Sequence, residues 1–380
     1  MTMQESISAA FAAVGADIKA LRAGHSAAAW PPLGAVVGLD SAAPQLEIDG
    51  MRFLRAGLFG PVPDAWPAWA GVHADLDNWS DLGSNTLPSA PNCAAVAGPV
   101  WMLGLYGRVV RSADNGQSWS VIAMPSAMSS VPVLGVATDG QGVWVAVGWG
   151  RIARSTDDGQ SWAMVSSSVD QGQSHGGLAT DGNGVWLYSL GGGRVARSAD
   201  NGQTWALVDT GATVHLSCVA TDGSGVWVVG GHAGTLRRSS DHGQSWSALP
   251  TVMTGRNVLA LAYSAGVWMA SGAGNGGHIT RSTDGGQAWA STTGPLRTVT
   301  ELTSDGRGLW AGAGVGGKLM FSRDHGQSWA LGNAQMPGHA VALATNGRVW
   351  LFCGLGRELM RATARVGLPQ AQPYQYLRVA

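Results

Sequence analysis

Ser112-Ala-Asp114-Asn-Gly116-Gln-Ser-Trp119 is the segment on which the reading of this chain rests. The pattern Ser-x-Asp-x-Gly-x-x-Trp returns with its aspartate at Asp157, Asp200, Asp241, Asp284 and Asp324 and its tryptophan at Trp162, Trp205, Trp246, Trp289 and Trp329. Successive aspartates lie 43, 43, 41, 43 and 40 residues apart. A self-similar unit of about forty residues is the length of one four-stranded propeller blade. A second marker counts the units: Trp101, Trp144, Trp186, Trp227, Trp268, Trp310 and Trp350 sit in apolar strands 40 to 43 residues apart. There are therefore seven units. The seventh lacks the aspartate pattern, with Ala362 and Ala364 where Ser and Asp would stand. The expected fold is all-β, a seven-bladed β-propeller over 91–380.

One unit shows the blade. Leu134 to Thr138 is a weakly alternating run of small residues, as an innermost strand near a crowded axis requires. Asp139-Gly140 marks a tight turn, repeated at Asp181, Asp222, Asp305 and Asn346. Val143 to Val147, Arg151 to Ser155 and Ser161 to Val165 read as strands two to four. In the Asp turn itself, Ser and Asp oxygens accept backbone N–H groups. Its Gly takes a positive φ, and its Trp covers the hairpin. A buried Trp removes roughly 150–250 Å² from water, so these motifs are expected to be folding devices.

Composition agrees. Of 380 residues, 57 are Gly and only 12% are charged, while 45% are hydrophobic. That is material for short strands and tight turns, and too little charge for long surface helices. The formal net charge of −1 implies no general attraction to nucleic acid or acidic lipid. Cys93, Cys218 and Cys353 are too scattered for a disulfide framework or a zinc site; buried free thiols are expected, with no metal and no cofactor. MTMQES has no basic and apolar leader pattern, and no stretch reaches 18 apolar residues, so neither a secretory signal nor a membrane insertion is expected.

The repeated pattern resembles the Asp-box (BNR) repeat family, which includes sialidases, some plant-polysaccharide hydrolases, sortilin-type receptors and photosystem II assembly factors. The resemblance covers about three quarters of the chain. It implies the propeller fold, with the boxes away from the active face, and it leaves function open.

Before the wheel, Ile7, Phe11, Val14, Ile18 and Leu21 fall at spacings of 4, 3, 4 and 3, a heptad seam on an expected helix over 3–22. Under three heptads do not stand alone. The helix needs a partner, either copies of itself, with Ile in the seam favouring a homotrimer, or its own domain. Residues 1–24 are thus an oligomerisation or docking helix and 25–90 a linker with a small β module, including a hairpin at Asp49-Gly50. ISAAFAAVGADIKALRAG (7–24) resembles the N-terminal helix of tailed-bacteriophage tail-fibre proteins. EIDGMRFLRAG (47–57) followed by PDAWPAW (63–69) resembles a small β module of such fibres, and the C-terminal YQYLRVA is of the same character. This implies a virion tail protein, made in the host cytoplasm, that contacts other tail proteins through residues 1–90 and a host-surface glycan or protein through the propeller.

For chemistry the sequence offers little. A sialidase would carry an arginine triad, a Tyr–Glu pair and an Arg-Ile-Pro motif; the last does not occur. The propeller holds only Glu301 and Glu358. A glycosidase needs two carboxylates flanking one bond, for which Glu301 with Asp170 or Asp209 would be the pair. The Gly-rich runs Gly191–Gly193 and 272–277 are turns between strands two and three, with no following helix to make them phosphate loops. Basic residues recur just before strand three: Arg108, Arg151, Arg194, His278, Lys318 and Arg357. They form either a cationic ring around one mouth of the wheel, suited to an anionic glycan, or a set of solvated strand ends. His215 and His339, with His175 one residue off, precede innermost strands. Trp149 stands in a strand two–three turn, where an exposed ring suits sugar stacking. The links 124–131, 166–174, 251–257 and 331–338 are the expected variable loops of that face. The four functional readings are a non-catalytic receptor binder, a structural tail protein, a glycan-cleaving hydrolase and an assembly factor of the photosystem type, the last disfavoured by the missing signal and the tail-fibre-like front end.

Overall fold

The computed structural model describes residues 79–83, 87–166, 169, 174–250, 253–273 and 278–363, and the backbone of four further strands at 36–39, 45–48, 51–55 and 374–379. The expected helix with Ile7, Phe11, Val14, Ile18 and Leu21, as well as Asp170, lies outside the described residues. Residues 74–364 form one unit. It contains seven four-stranded antiparallel sheets, six of them running in chain order from the axis outward and the seventh closed by a strand from before blade one. Innermost strands follow one another around a closed ring, from Cys93–Ala97 in blade one to Ala340–Thr345 in blade seven and back. The seven-bladed propeller is the observed fold. Its only described helical turn is a 3-10 turn at His232–Gly234.

The repeat dictates this packing. The seven strand-two tryptophans, Trp101 to Trp350, are all fully buried. Each fills a seam against the preceding blade; Trp101, for instance, packs with Ala344, Val349 and Leu351 of blade seven. The axis is crowded enough that a Cβ on Gly135 would run into the carbonyl oxygen of Gly176 in the next blade, which explains the small residues of strand one. A single unit would leave such faces wet, and closing seven covers them all.

Each Asp turn is a saturated hydrogen-bond knot. The Ser155 hydroxyl donates to Asp157 Oδ1 at 2.7 Å and accepts from the Gly159 amide at 3.0 Å. Asp157 Oδ1 also accepts the Gln160 and Ser161 amides, and Oδ2 the Ser161 hydroxyl at 2.6 Å. The Ser161 hydroxyl, then Ser155 and the amides, hold the Asp157 carboxyl down at about 2 against an opposing effect of burial. The glycine is left-handed as expected, and so is the residue before it: Asn115, Asp158, Asn201, His242 and His325 have φ of 58–60° and Gly285 of 74°. Asn, Asp, His and Gly are the residues that tolerate this conformation best.

That left-handed residue aims its carbonyl at the previous blade, where an arginine of strand three receives it. Arg111, Arg154, Arg197, Arg238, Arg281 and Arg361 donate Nε to the carbonyls of Asp158, Asn201, His242, Gly285, His325 and Asn115, at 2.7–2.8 Å. Six of the seven seams are clamped in this way. The exception leads from blade six into blade seven, which has no Asp turn, and there the arginine position is Phe321. Arg197→Ala is expected to lower the unfolding free energy by about 1–3 kcal/mol, the range for a hydrogen bond from a charged group. Phe321→Arg should give no gain, having no carbonyl to meet. Urea melts of both variants check the pair.

Blade seven is completed from the other end of the chain. Its outer strand is Ser80–Asp81, paired as Arg361↔Ser80 and Met360↔Asp81 and extended by the Leu82 amide to the Leu359 carbonyl at 2.9 Å. Trp79 precedes this strand as each Asp-turn Trp precedes strand four, and its ring meets Phe352 edge-on at 6.0 Å. The seventh Trp is thus present, supplied from before blade one. Two boundaries are corrected accordingly. The wheel begins near residue 79 rather than 91. It ends before the C-terminal strand, because Tyr374–Val379 belongs to the second unit, residues 1–73 with 365–380. That unit's antiparallel sheet runs Val36–Leu39, Tyr374–Val379, Met51–Arg55, Gln45–Ile48. The expected hairpin is there, with Ile48 opposite Met51. A third correction concerns the link read at 331–338: Ala330–Gln335 is strand four of blade six.

Candidate functional site

Antiparallel order sends the strand one–two and three–four connections to one face of the wheel, and the two–three turns and blade links to the other. The first face is occupied by its own bonds. The Asp turns consume their carboxylates, and neighbouring blades tie together there, as between Asn201 Nδ2 and Asp139 Oδ2 at 3.0 Å. Asp114, Asp157, Asp200, Asp241, Asp284 and Asp324 therefore do structural work. Their tryptophans are half-buried at Trp119, Trp162, Trp246 and Trp329 and buried at Trp205 and Trp289. Trp162, Trp205 and Trp289 donate their indole N–H to the turn glycine's carbonyl.

The second face carries the candidate residues. Arg108, Arg151, Arg194, His278 and Lys318 each open strand three, and Arg357 precedes it by two residues. The register therefore puts all six on one face. Arg108, Lys318 and Arg357 are exposed, while Arg151, Arg194 and His278 are half-buried. Arg151 is tied through Nη1 to the Ala127 carbonyl, and Arg194 and His278 are engaged as well. The cationic ring is thus uneven. The histidines divide too. His215 packs against His232 with ring centres 5.4 Å apart, whereas exposed His339 accepts the Gly316 amide at Nδ1. His175 lies on strand one of blade three.

Trp149 is 47% exposed and has a φ of 44°. A bulky side chain in this left-handed region is unusual and is held by the tight Gly148-Trp149-Gly150 turn. One signal escaped the sequence reading: other two–three turns also present large apolar groups, namely Tyr106, Val315 and Leu355. They were legible as the residue before the turn glycine. A shallow cleft of about 430 Å³ lies on this face, lined by Thr254, Gly255, Arg256, Asn257 and Ala273; no carboxylate lines it.

Glu301 stands on the innermost strand of blade six, opposite Ala313. Residues at the same register in the other blades are Cys93, Gly135, Gly177, Cys218, Ala260 and Ala342, so Glu301 is the one large side chain of its tier. It keeps some contact with the channel, yet burial pushes its carboxyl up to about 8. Burial likewise pushes the Cys93 thiol up to about 12 and those of Cys218 and Cys353 upward. All three cysteines are free. Asp209, the proposed acid partner, ends the outermost strand of blade three and accepts the Gly211 amide. Three strand spacings alone separate outer from inner strands by roughly 14 Å, so Glu301 and Asp209 do not form a carboxylate pair. Among the described residues there is no His, Cys, Asp and Glu cluster able to hold a metal, and no helix long and apolar enough to cross a membrane.

No protein-family model matches the chain, and no curated protein matches it in sequence. Solved structures do match in fold. YCF48 bound to D1 peptide aligns at 19% identity over 76% of this chain and 98% of that one, with a TM-score of 0.62. YCF48 from Cyanidioschyzon merolae aligns at 14% identity over 77% and 99%, TM-score 0.60. The GH74 xyloglucanase from Xanthomonas campestris aligns at 16% identity over 79% of this chain and 55% of that one, TM-score 0.63. At these identities the similarity establishes a seven-bladed propeller shared with proteins of different function.

Proposed function

We propose that the chain is a non-catalytic recognition propeller whose two–three turn face engages an anionic structure on a cell surface. The segment before the wheel, residues 1–78, attaches it, as a homotrimer, to other proteins of a phage-tail assembly. The observation that carries the reading is the asymmetry of the two faces. One spends its polar groups on its own turns, and the other leaves Arg108, Lys318 and Arg357 exposed beside apolar side chains. Turns mounted on a rigid wheel are a common site of recognition. Support for the tail setting comes from the tail-fibre-like stretches at 7–24 and 47–69. The peptide carried by YCF48 is a precedent for a wheel of this kind as a binding platform. A hydrolase of the kind seen among the GH74 neighbours would need two carboxylates across one bond, and the separation of Glu301 from Asp209 speaks against it.

Labelled full-length protein is expected to bind bacterial cells saturably, less so at high salt, without releasing reducing sugar. Absence of binding at high protein concentration overturns the recognition reading, and sugar release replaces it with the hydrolase.

A further inference from the structure

Among the described residues, seven large hydrophobic side chains are exposed. Val121, Met164 and Leu331 lie on outermost strands, at the rim. The other four are Val315, Leu355, Tyr106 and Trp149, 46–53% exposed. Each sits in a strand two–three turn, and their blades are six, seven, one and two, which are consecutive around the closed ring. Each is followed, after one or two residues, by a cation: Val315-Gly-Gly-Lys318, Leu355-Gly-Arg357, Tyr106-Gly-Arg108 and Trp149-Gly-Arg151. The three remaining turns lack the pairing. Blade three has three glycines before Arg194, blade four has His232-Ala-Gly-Thr235, and blade five has Ala273 with glycines around Asn275.

Along this arc the links 124–134, 336–339 and 82–92 hold no carboxylate, and Asp81, exposed at the end of the blade-seven outer strand, spends Oδ1 on the Gly83 amide. Within the turns the one acid is Glu358, half-buried and tucked against Gly354 and Gly356. The aromatic end is also fixed in place. Tyr106 donates its hydroxyl to the Ser130 carbonyl at 2.8 Å, the Gly107 amide donates to Val131, and Arg151 reaches Ala127. One link is therefore held between the Tyr106 and Trp149 turns.

We propose that this arc is a track for a linear acidic polysaccharide, with Trp149 and Tyr106 stacking on sugar rings and Lys318, Arg357, Arg108 and Arg151 meeting its anionic groups. The inference rests on the recognition role proposed above and names its ligand. Charge complementarity demands an anion. The choice of a glycan follows from what the face offers. Its strands end in turns, so no sheet edge is presented to a peptide backbone as β-augmentation requires. Its clefts are shallow and hold no helix. It offers ring faces and point charges alternating at blade spacing, which a polymer alternating sugar faces and carboxylates or phosphates can match repeatedly. Fixed aromatic rings cost little ordering entropy on binding.

The test is titration of the full-length chain with polygalacturonate, a phosphorylated mannan, neutral dextran and poly-glutamate. Wild type should bind both acidic glycans, more weakly as salt rises, and dextran weakly or not at all. Trp149→Gly removes the ring while suiting the left-handed backbone, so its melting temperature should match wild type and its glycan affinity should fall about fivefold or more. The double variant R108Q/R357Q should lose at least as much and flatten the salt dependence. Arg307→Gln, exposed in a strand one–two turn on the opposite face, should bind as wild type. Equal binding by Trp149→Gly and R108Q/R357Q, or dextran bound as well as polygalacturonate, overturns the proposal. Binding of poly-glutamate but neither acidic glycan overturns the glycan assignment and leaves the recognition face standing. No binding to any probe or to cells removes both.

Discussion

Glu301→Gln is expected to raise the melting temperature of the wheel at pH 8 by several degrees and to leave it unchanged at pH 4. The native carboxyl holds its proton up to about 8, because burial penalises the charged form, against 4.5 for the exposed group. Between those values the native state keeps a proton that the unfolded chain releases, so stability falls as pH rises. The loss begins near 4.5, grows across neutral pH and levels off above 8. At about 1.4 kcal/mol per pH unit, reduced for the residual contact with channel water, the penalty is on the order of 2–4 kcal/mol. Glutamine has the same shape without a charge to desolvate, so it escapes the penalty wherever glutamate carries it. Differential scanning fluorimetry of both proteins from pH 4 to 9 reads the difference directly. A gap that does not vary with pH would show that the residue acts through packing alone. A wheel that keeps such a group pays in stability for an axial acid.

Trp79→Ala should destabilise the wheel about as much as Trp119→Ala, by roughly 2–4 kcal/mol, slightly under the range for a fully buried tryptophan. Trp79 sits outside the repeats and 22 residues before the first strand-two Trp, and its sequence surroundings give it no special weight. Its place in blade seven does: it precedes Ser80 as Trp119 precedes Ser120, and Arg361 pairs with Ser80 as Arg111 pairs with Ser120. Its ring covers Phe352 in the cluster that also holds Trp350. This seam is the one without an arginine clamp, so little else compensates. Removing residues 1–82 altogether should go further, because the strand Leu359–Thr363 then presents an open edge, a template for association between copies. Urea unfolding measures the point variants, and light scattering the truncation. A Trp79→Ala protein within about 0.5 kcal/mol of wild type, beside a clearly weakened Trp119→Ala, would mean that closure does not depend on the borrowed strand.

The proposed recognition face and the stability of the ring are linked through blade seven. Its two–three turn carries Leu355 and Arg357, in the middle of the arc, while its outer strand is borrowed and only two residues long. Ligand lying across blades six, seven and one would bind only the closed ring, and so would stabilise it by mass action.

Repetition alone determined much of this protein. A forty-residue unit written seven times has apolar faces on both sides, and the regular return of Trp101 to Trp350 fixes the number of blades, because seven is the number of faces to be covered. The Asp turns were legible for the same reason: their oxygens and their glycine serve a bond pattern that is local, within five residues. The basic ring was legible as a register, since equal positions in equal blades fall on equal faces. What sequence could not give was whatever depends on the ring being closed. That Trp79-Ser80 completes blade seven, that Tyr374–Val379 leaves the wheel for the small sheet, and that Arg111 and its counterparts reach across seams all join residues 44 to 341 positions apart. Nothing in local pattern ranks those pairings. The apolar arc shares this origin: Val315 and Leu355 become neighbours of Tyr106 and Trp149 only when the two ends of the chain meet. Glu301 likewise acquires its proton from burial among strands of other blades, a property of the assembled axis and of no segment by itself.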